Sequence, residues 1–167
     1  MKLHLGCGKR PMEGYINVDL DERKNVDYQY VKSDVSSLPF DSDSCDEILA
    51  IHVIEHIWLW DLKATLEEWC RVLKPGGKVI IECPDIYKAA RILIEGIESS
   101  EKDRINAAMR AFYGDQKDRD IQGRHKWGWT PKMLGYALEL AGFKEVRQEP
   151  AQYHFKDIRD MRLTATK

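Results

Sequence analysis

From Leu3 to Thr166, short apolar runs alternate with one-faced helical stretches, and that alternation commits the chain to a mostly parallel α/β sheet. Leu3 to Leu5 reads as a first strand ending in Gly6-Cys7-Gly8. Tyr15 to Asp19 reads as the second and Tyr28 to Lys32 as a weaker third. Glu47 to Ile51 is an apolar run suited to a central buried strand. Trp58, Leu62, Leu66, Trp69 and Leu73 recur at spacings of three and four, one face of a helix that Lys74-Pro75-Gly76-Gly77 stops. Lys78 to Cys83 is another buried strand. Pro84-Asp85 opens a helix through about Ile97, and a second amphipathic stretch carries Ile105, Ala108, Met109 and Phe112. Thr130-Pro131 is an N-cap with proline at the first helical position, and Gly142 ends that helix. Phe143 to Glu149 and Asp160 to Thr166 complete a set of seven strands. The expected architecture is one domain over residues 1–167, a doubly wound sheet with helices on both faces.

Composition narrows the classes. Apolar residues make up 43% of 167 residues, enough for a packed interior and unlike a disordered chain. The 26 basic and 28 acidic residues leave a net charge of -2, which exerts no broad pull toward phosphate backbones or anionic lipid. The cysteines at 7, 45, 70 and 83 lack C-x-x-C spacing and sit mostly in apolar runs, as reduced thiols do. The chain reaches its glycine turn at once and contains no apolar run of spanning length, so no membrane span and a cytoplasmic location are expected.

Gly6-Cys7-Gly8 sits where a first strand ends. Missing side chains there let the backbone approach a ligand, although a glycine pair also serves as a plain chain reversal. Asp19 ends the next strand, and a carboxylate at that place accepts bonds from both ribose hydroxyls of a nucleoside. It lies 11 residues after Gly8 (19 minus 8). The dinucleotide fingerprint wants about 20 residues and a third glycine, near which this chain has Pro11. The helix between the first two strands must therefore be short or irregular, which weakens a nicotinamide reading.

Four blocks occur in order: Leu3-His4-Leu5-Gly6-Cys7-Gly8, Asn17-Val18-Asp19, Asp34-Val35-Ser36-Ser37-Leu38-Pro39-Phe40, and Val72-Leu73-Lys74-Pro75-Gly76-Gly77-Lys78-Val79. The third runs on into Ser44-Cys45-Asp46-Glu47-Ile48, and Ala141-Gly142-Phe143 follows near the end. In these blocks the chain resembles the class I S-adenosylmethionine-dependent methyltransferases, close to the methyltransferase type 11 group. The resemblance implies a Rossmann-like sheet, S-adenosylmethionine as cofactor, and methyl transfer to an unidentified acceptor. It also implies site residues. Gly6 and Gly8 line the methionine and ribose, Asp19 holds the ribose diol, and Asp34 with the backbone of Val35 bonds the adenine edge. Leu38 packs on the purine, and the backbone of Ile51 and His52 faces the methionine end. Charge and size favour a small molecule or a glycan or lipid precursor over nucleic acid as acceptor. Two departures stand out: the third glycine is missing, and no helix precedes the first strand.

His52-Val53-Ile54-Glu55-His56 matches the H-x-x-E-H zinc pattern, in which one helical turn would bring His52 and His56 to one metal. The motif begins where the fourth strand ends, and the family commonly has Glu-His here. A structural role for Glu55 and His56 is the expectation, and no metal ligand is assigned. A hydroxyl acceptor would need a general base. His52 is the first candidate and His125 the second, with a structural histidine weighed equally for each. The long polar loop from Gly114 to Trp129 ends in Arg124-His125-Lys126-Trp127-Gly128-Trp129, either an acceptor wall or lid, or a loop anchored by its two tryptophans. Tyr87, Tyr113, Trp58 and Trp60 are expected mostly as packing residues. A non-catalytic cofactor-binding subunit, a nicotinamide oxidoreductase and a zinc peptidase are the alternatives.

Overall fold

In a computed structural model that describes residues 1–21, 28–115, 121, 123–154 and 156–167, the chain folds around a seven-stranded sheet. The strands are β1 (Lys2–Leu5), β2 (Ile16–Asp19), β3 (Tyr30–Lys32), β4 (Cys45–Ile51), β5 (Leu73–Pro84), β6 (Lys144–Glu149) and β7 (Asp160–Thr166). Their order is β3-β2-β1-β4-β5-β7-β6. The first five pair in parallel, and β7 runs antiparallel to both of its neighbours. The order reverses between β1 and β4, and such a switch point opens a crevice beyond the carboxyl ends of the strands.

The helices are α1 (Leu59–Val72), α2 (Ile86–Glu98), α3 (Lys102–Tyr113), α4 (Pro131–Leu140) and α5 (Lys156–Arg159), with a 3-10 turn at Ile54–His56. Helix α1 buries Leu62, Leu66 and Trp69, the stripe its spacing predicts. Asp85 caps α2 by accepting from the Tyr87 amide at 2.9 Å. Thr130 caps α4 by accepting from the Met133 amide at 3.3 Å, with Pro131 at the first helical position. Strand β5 begins at Leu73, ahead of the expected Lys78. Leu73 pairs with Cys45 and Lys78 with Glu47, so Lys74 to Gly77 form an irregular insertion within the strand.

The sheet is clothed unevenly. Its main core joins Leu3, Leu5, Val18, Ile48, Ala50, Val79 and Ile81 to residues of α1 and to Leu134 and Leu138 of α4. The alternate residues Leu49, Ile51 and Ile80 face the other side, where Met12, Tyr15 and Tyr153 pack on them. No helix connects β1 to β2. Buried Asn17 organises that connection instead, accepting from the Met12 amide and donating to the Met12 and Tyr15 carbonyls at 2.8 to 3.2 Å. Buried Glu82 pins the connection before β7, accepting from the amides of Gln152 and Tyr153 and from Arg162. The four cysteines are free thiols. Among the described residues no helix is long and apolar enough to cross a membrane.

Candidate functional site

A cavity of about 490 Å³ opens at the switch point. Gly6, Asp19, Asp34, Val35 and His52 line it, joined by His56, Trp58 and Lys126. Gly6 has φ +59°, a conformation costly for other residues, and a methyl group there would meet Val53 Cγ2 at 2.5 Å. The carboxylate of Asp19 braces the same turn, accepting from the Gly8 amide at 2.7 Å. Asp34 closes its own loop by accepting from the Ser36 amide and hydroxyl at 2.8 and 2.7 Å. The indole of Trp69 donates to the Val35 carbonyl at 2.8 Å, and Glu68 accepts from the Leu38 amide at 2.8 Å. Helix α1 thus holds the Asp34 loop against the cavity.

A second cavity of about 330 Å³ shares Gly6 and His52 with the first. Gly8, Ile51, Lys9, Arg10 and His154 are among its lining residues. Gly8 and Ile51 therefore face the second cavity, whereas Leu38 is buried in the main core and lines neither. Leu20, Ile57 and Ala64 contribute apolar side chains to the first cavity's wall.

His52 stands where the cavities meet, at φ +54°. Its Nδ1 is 2.8 Å from Glu55 Oε1 and its Nε2 is 2.9 Å from Asp160 Oδ2. Burial alone would oppose the positive charge, but bonds and charge from the two carboxylates raise the imidazole to about 9. Burial likewise opposes ionisation of Glu55 and Asp160, and His52 more than reverses it, holding both below their ordinary values. His52 is thus an imidazolium with both nitrogens donating. It carries no lone pair for the base role expected from the sequence.

His125 sits behind this clamp and off the cavity lining. Its Nδ1 is 2.8 Å from the Ala111 carbonyl, and its Nε2 is 3.9 Å from Glu55 Oε1. Burial holds the ring below its ordinary value, in the neutral form. The end of the long loop is tied to the 3-10 turn, the Lys126 amide donating to the Glu55 carbonyl at 2.7 Å. Part of that loop lies outside the described residues. Trp129 is buried, while Trp127 is partly exposed. Trp58, Trp60, Tyr87 and Tyr113 are exposed rather than packed, a correction to the sequence expectation. Trp58 and Trp60 stack on each other at 4.6 Å between centroids, with Lys126 Nζ 5.5 Å from the Trp58 ring. The helical spacing set Trp58 on the core stripe, but Trp58 stands one place before the helix and Trp60 lies in its first turn, where neither is covered. Asp160 is the site residue sequence reasoning missed. Nothing local marks it, because β7 delivers it from the far end of the chain.

Residues 11–81 match the family model described as a methyltransferase domain. A protein of Mycolicibacterium smegmatis described as a probable S-adenosylmethionine-dependent methyltransferase is 32% identical, over 50% of this chain and 37% of that protein. The chain thus spans little more than a third of that curated relative's length. An S-adenosylmethionine-dependent methyltransferase of Archaeoglobus fulgidus shares the fold with TM-score 0.67 at 18% identity, over 99% of this chain and 85% of that one. So does a Burkholderia thailandensis 1,6-didemethyltoxoflavin N1-methyltransferase with 1,6-didemethyltoxoflavin and S-adenosylhomocysteine bound, with TM-score 0.65 at 17% identity, over 99% of this chain and 70% of that one. Joined to a sheet order that places a glycine turn, a strand-end aspartate and an acidic loop after the third strand around one crevice, these matches make the chain similar to S-adenosylmethionine-dependent methyltransferases, in sequence over residues 11–81 and in fold throughout.

Proposed function

We propose that this chain binds S-adenosylmethionine in the 490 Å³ cavity and transfers its methyl group to a small molecule or a glycan or lipid precursor. The observation that carries the reading is the convergence of Gly6, Asp19 and Asp34 on one cavity from the ends of β1, β2 and β3. Asp19 accepts from the Gly8 and Asp21 amides, one on each oxygen, and a carboxylate offers about four acceptor sites, so it retains acceptors for a ribose diol. Asp34 and the Val35 backbone are suited to an adenine edge. Gly6 leaves room for the methionine, whose sulfonium then points toward His52 and the second cavity.

Methyl transfer is an in-line displacement: the acceptor's lone pair forms the new bond to carbon as the sulfur–carbon bond breaks, leaving S-adenosylhomocysteine. Orientation of two bound reactants contributes roughly 7–11 kcal/mol in favourable cases. That accounts for the reaction without a protein base when the acceptor is an anion or an unprotonated amine, whose product releases its proton to solvent. Lys9 and Arg10 give the second cavity a cationic wall suited to an anionic group, and the exposed Trp58–Trp60 pair suits the face of a ring such as a sugar.

The test is calorimetric titration with S-adenosylhomocysteine, beside NAD and the variant Asp19→Ala, with circular dichroism as the check on folding. Stoichiometric binding of the homocysteine adduct, absent for NAD and at least tenfold weaker in the variant, is expected. A folded wild-type chain that binds no S-adenosylhomocysteine overturns the proposal.

A further inference from the structure

The H-x-x-E-H spacing pairs His52 with His56, but the fold breaks that pair. His52 turns away to bridge Glu55 and Asp160, and the tertiary structure supplies a different partner. One ligand atom each from Glu55, His56 and His125 lies within 4.8 Å of the others. Glu55 is 2% exposed, and its Oε2 has no hydrogen-bond partner. A buried carboxylate oxygen left without a donor costs about 1–3 kcal/mol or more, and a cation beside it would supply the missing partner.

The three groups are oriented from behind. His56 Nδ1 is 3.1 Å from the Arg124 carbonyl, and His125 Nδ1 is 2.8 Å from the Ala111 carbonyl. A carbonyl only accepts, so each Nδ1 carries a proton, and in the neutral tautomer that this selects the Nε2 lone pair is available to a metal. Glu55 is steered by its Oε1 bond to His52. Metal-ligating histidines usually donate their second nitrogen to a carbonyl or carboxylate in this way. The backbone bond from Lys126 to Glu55 locks the two segments of the cluster together.

We infer that Glu55, His56 and His125 form a binding site for a divalent first-row transition cation on the wall of the candidate cofactor cavity. Two imidazoles and one carboxylate select zinc or a neighbouring metal over magnesium or calcium, which prefer oxygen. Ligand atoms around one such ion stand roughly 3–4 Å apart, so closure by about an ångström completes the site. Three protein ligands leave coordination positions open, the arrangement of a metal that also receives substrate. His56 lines the cavity, so the open side faces it. On the cofactor reading above, the remaining ligand is an oxygen of the acceptor, which the cation holds and orients beside the methyl donor.

The experiment is metal titration of chelator-treated full chain with Zn²⁺ by calorimetry, and with Co²⁺ by visible absorption. No nucleoside is added, so failure here leaves the cofactor reading standing, and failure of S-adenosylhomocysteine binding leaves this one. One equivalent is expected to bind, with d–d bands in the cobalt form. His125→Ala should bind at least about a hundredfold more weakly, judged against losses of 10–100-fold for groups that only orient ligands. Circular dichroism checks its fold, and if it fails to fold, His56→Ala at the more exposed ligand carries the comparison. A wild-type chain that takes up no stoichiometric metal, or a folded variant that takes it up equally well, overturns the inference.

Discussion

His52 Nε2 lies 2.9 Å from Asp160 Oδ2, a bond that joins the end of β4 to the start of β7 across 108 residues of sequence. Asp160 is fully buried and Glu55 nearly so, which makes the imidazolium between them the shared counter-charge of both. Removing it takes the nearest counter-charge from Glu55 and leaves Asp160 with Arg159 Nε at 3.1 Å. His52→Ala should lose about 3–5 kcal/mol of unfolding free energy, the range for breaking a buried ion pair from one side. Urea denaturation measures this. A loss under about 1 kcal/mol would mean that the carboxylates find other partners or take up protons at little cost.

Gly6→Ala tests the turn itself. The new methyl meets both a left-handed backbone and Val53 Cγ2 at 2.5 Å. Destabilisation of about 1–3 kcal/mol is expected from strain and overpacking. S-adenosylhomocysteine binding should fall at least tenfold, and Val53→Ala in the same chain should restore part of the stability. Calorimetry with thermal melts reads both; no recovery in the double variant would assign the loss to backbone strain alone.

Glu68 sets a pH dependence. Its carboxylate pairs with Arg71 at 2.6 Å and accepts from the Leu38 amide, and Arg71 foremost holds it below the ordinary 4.5 despite some burial. A depressed carboxyl stabilises the fold above its unfolded value and loses that contribution as pH falls through the folded one. Stability should therefore decline below about pH 4.5, and Glu68→Gln should flatten that part of the profile. Denaturant midpoints across pH 3–6 in both proteins check it, and parallel curves would remove Glu68 from the account.

Trp58 and Trp60 are 44% and 73% exposed, too open to hold the core. Replacing Trp60 with alanine should change stability by less than about 0.5 kcal/mol, as expected away from buried features. Trp58→Ala removes cavity wall and should weaken ligand binding while leaving the fold intact. Tryptophan fluorescence during titration distinguishes the two. Equal, large losses of stability in both would make the pair structural after all.

Apart from α5 and the 3-10 turn at Ile54–His56, the order of strands and helices was readable from the sequence because those elements announce themselves locally. The period-2 and period-3.6 patterns, the caps at Asp85 and Thr130, and Gly142 beyond α4 act within a few residues. That Gly6, Asp19, Asp34 and Val35 line one cavity has a related reason: parallel strands bring their carboxyl ends to one edge, so strand-end residues converge whatever the details. Leu38 was misjudged because an apolar residue in a loop can face either a ligand or the core, and only packing against α1 decided which. The protonation of His52, the recruitment of Asp160 and the meeting of Glu55 and His56 with His125 belong to the tertiary structure alone. Each depends on which buried charge has which neighbour, and those neighbours come from elements 69 (125 minus 56) and 108 residues apart in the chain.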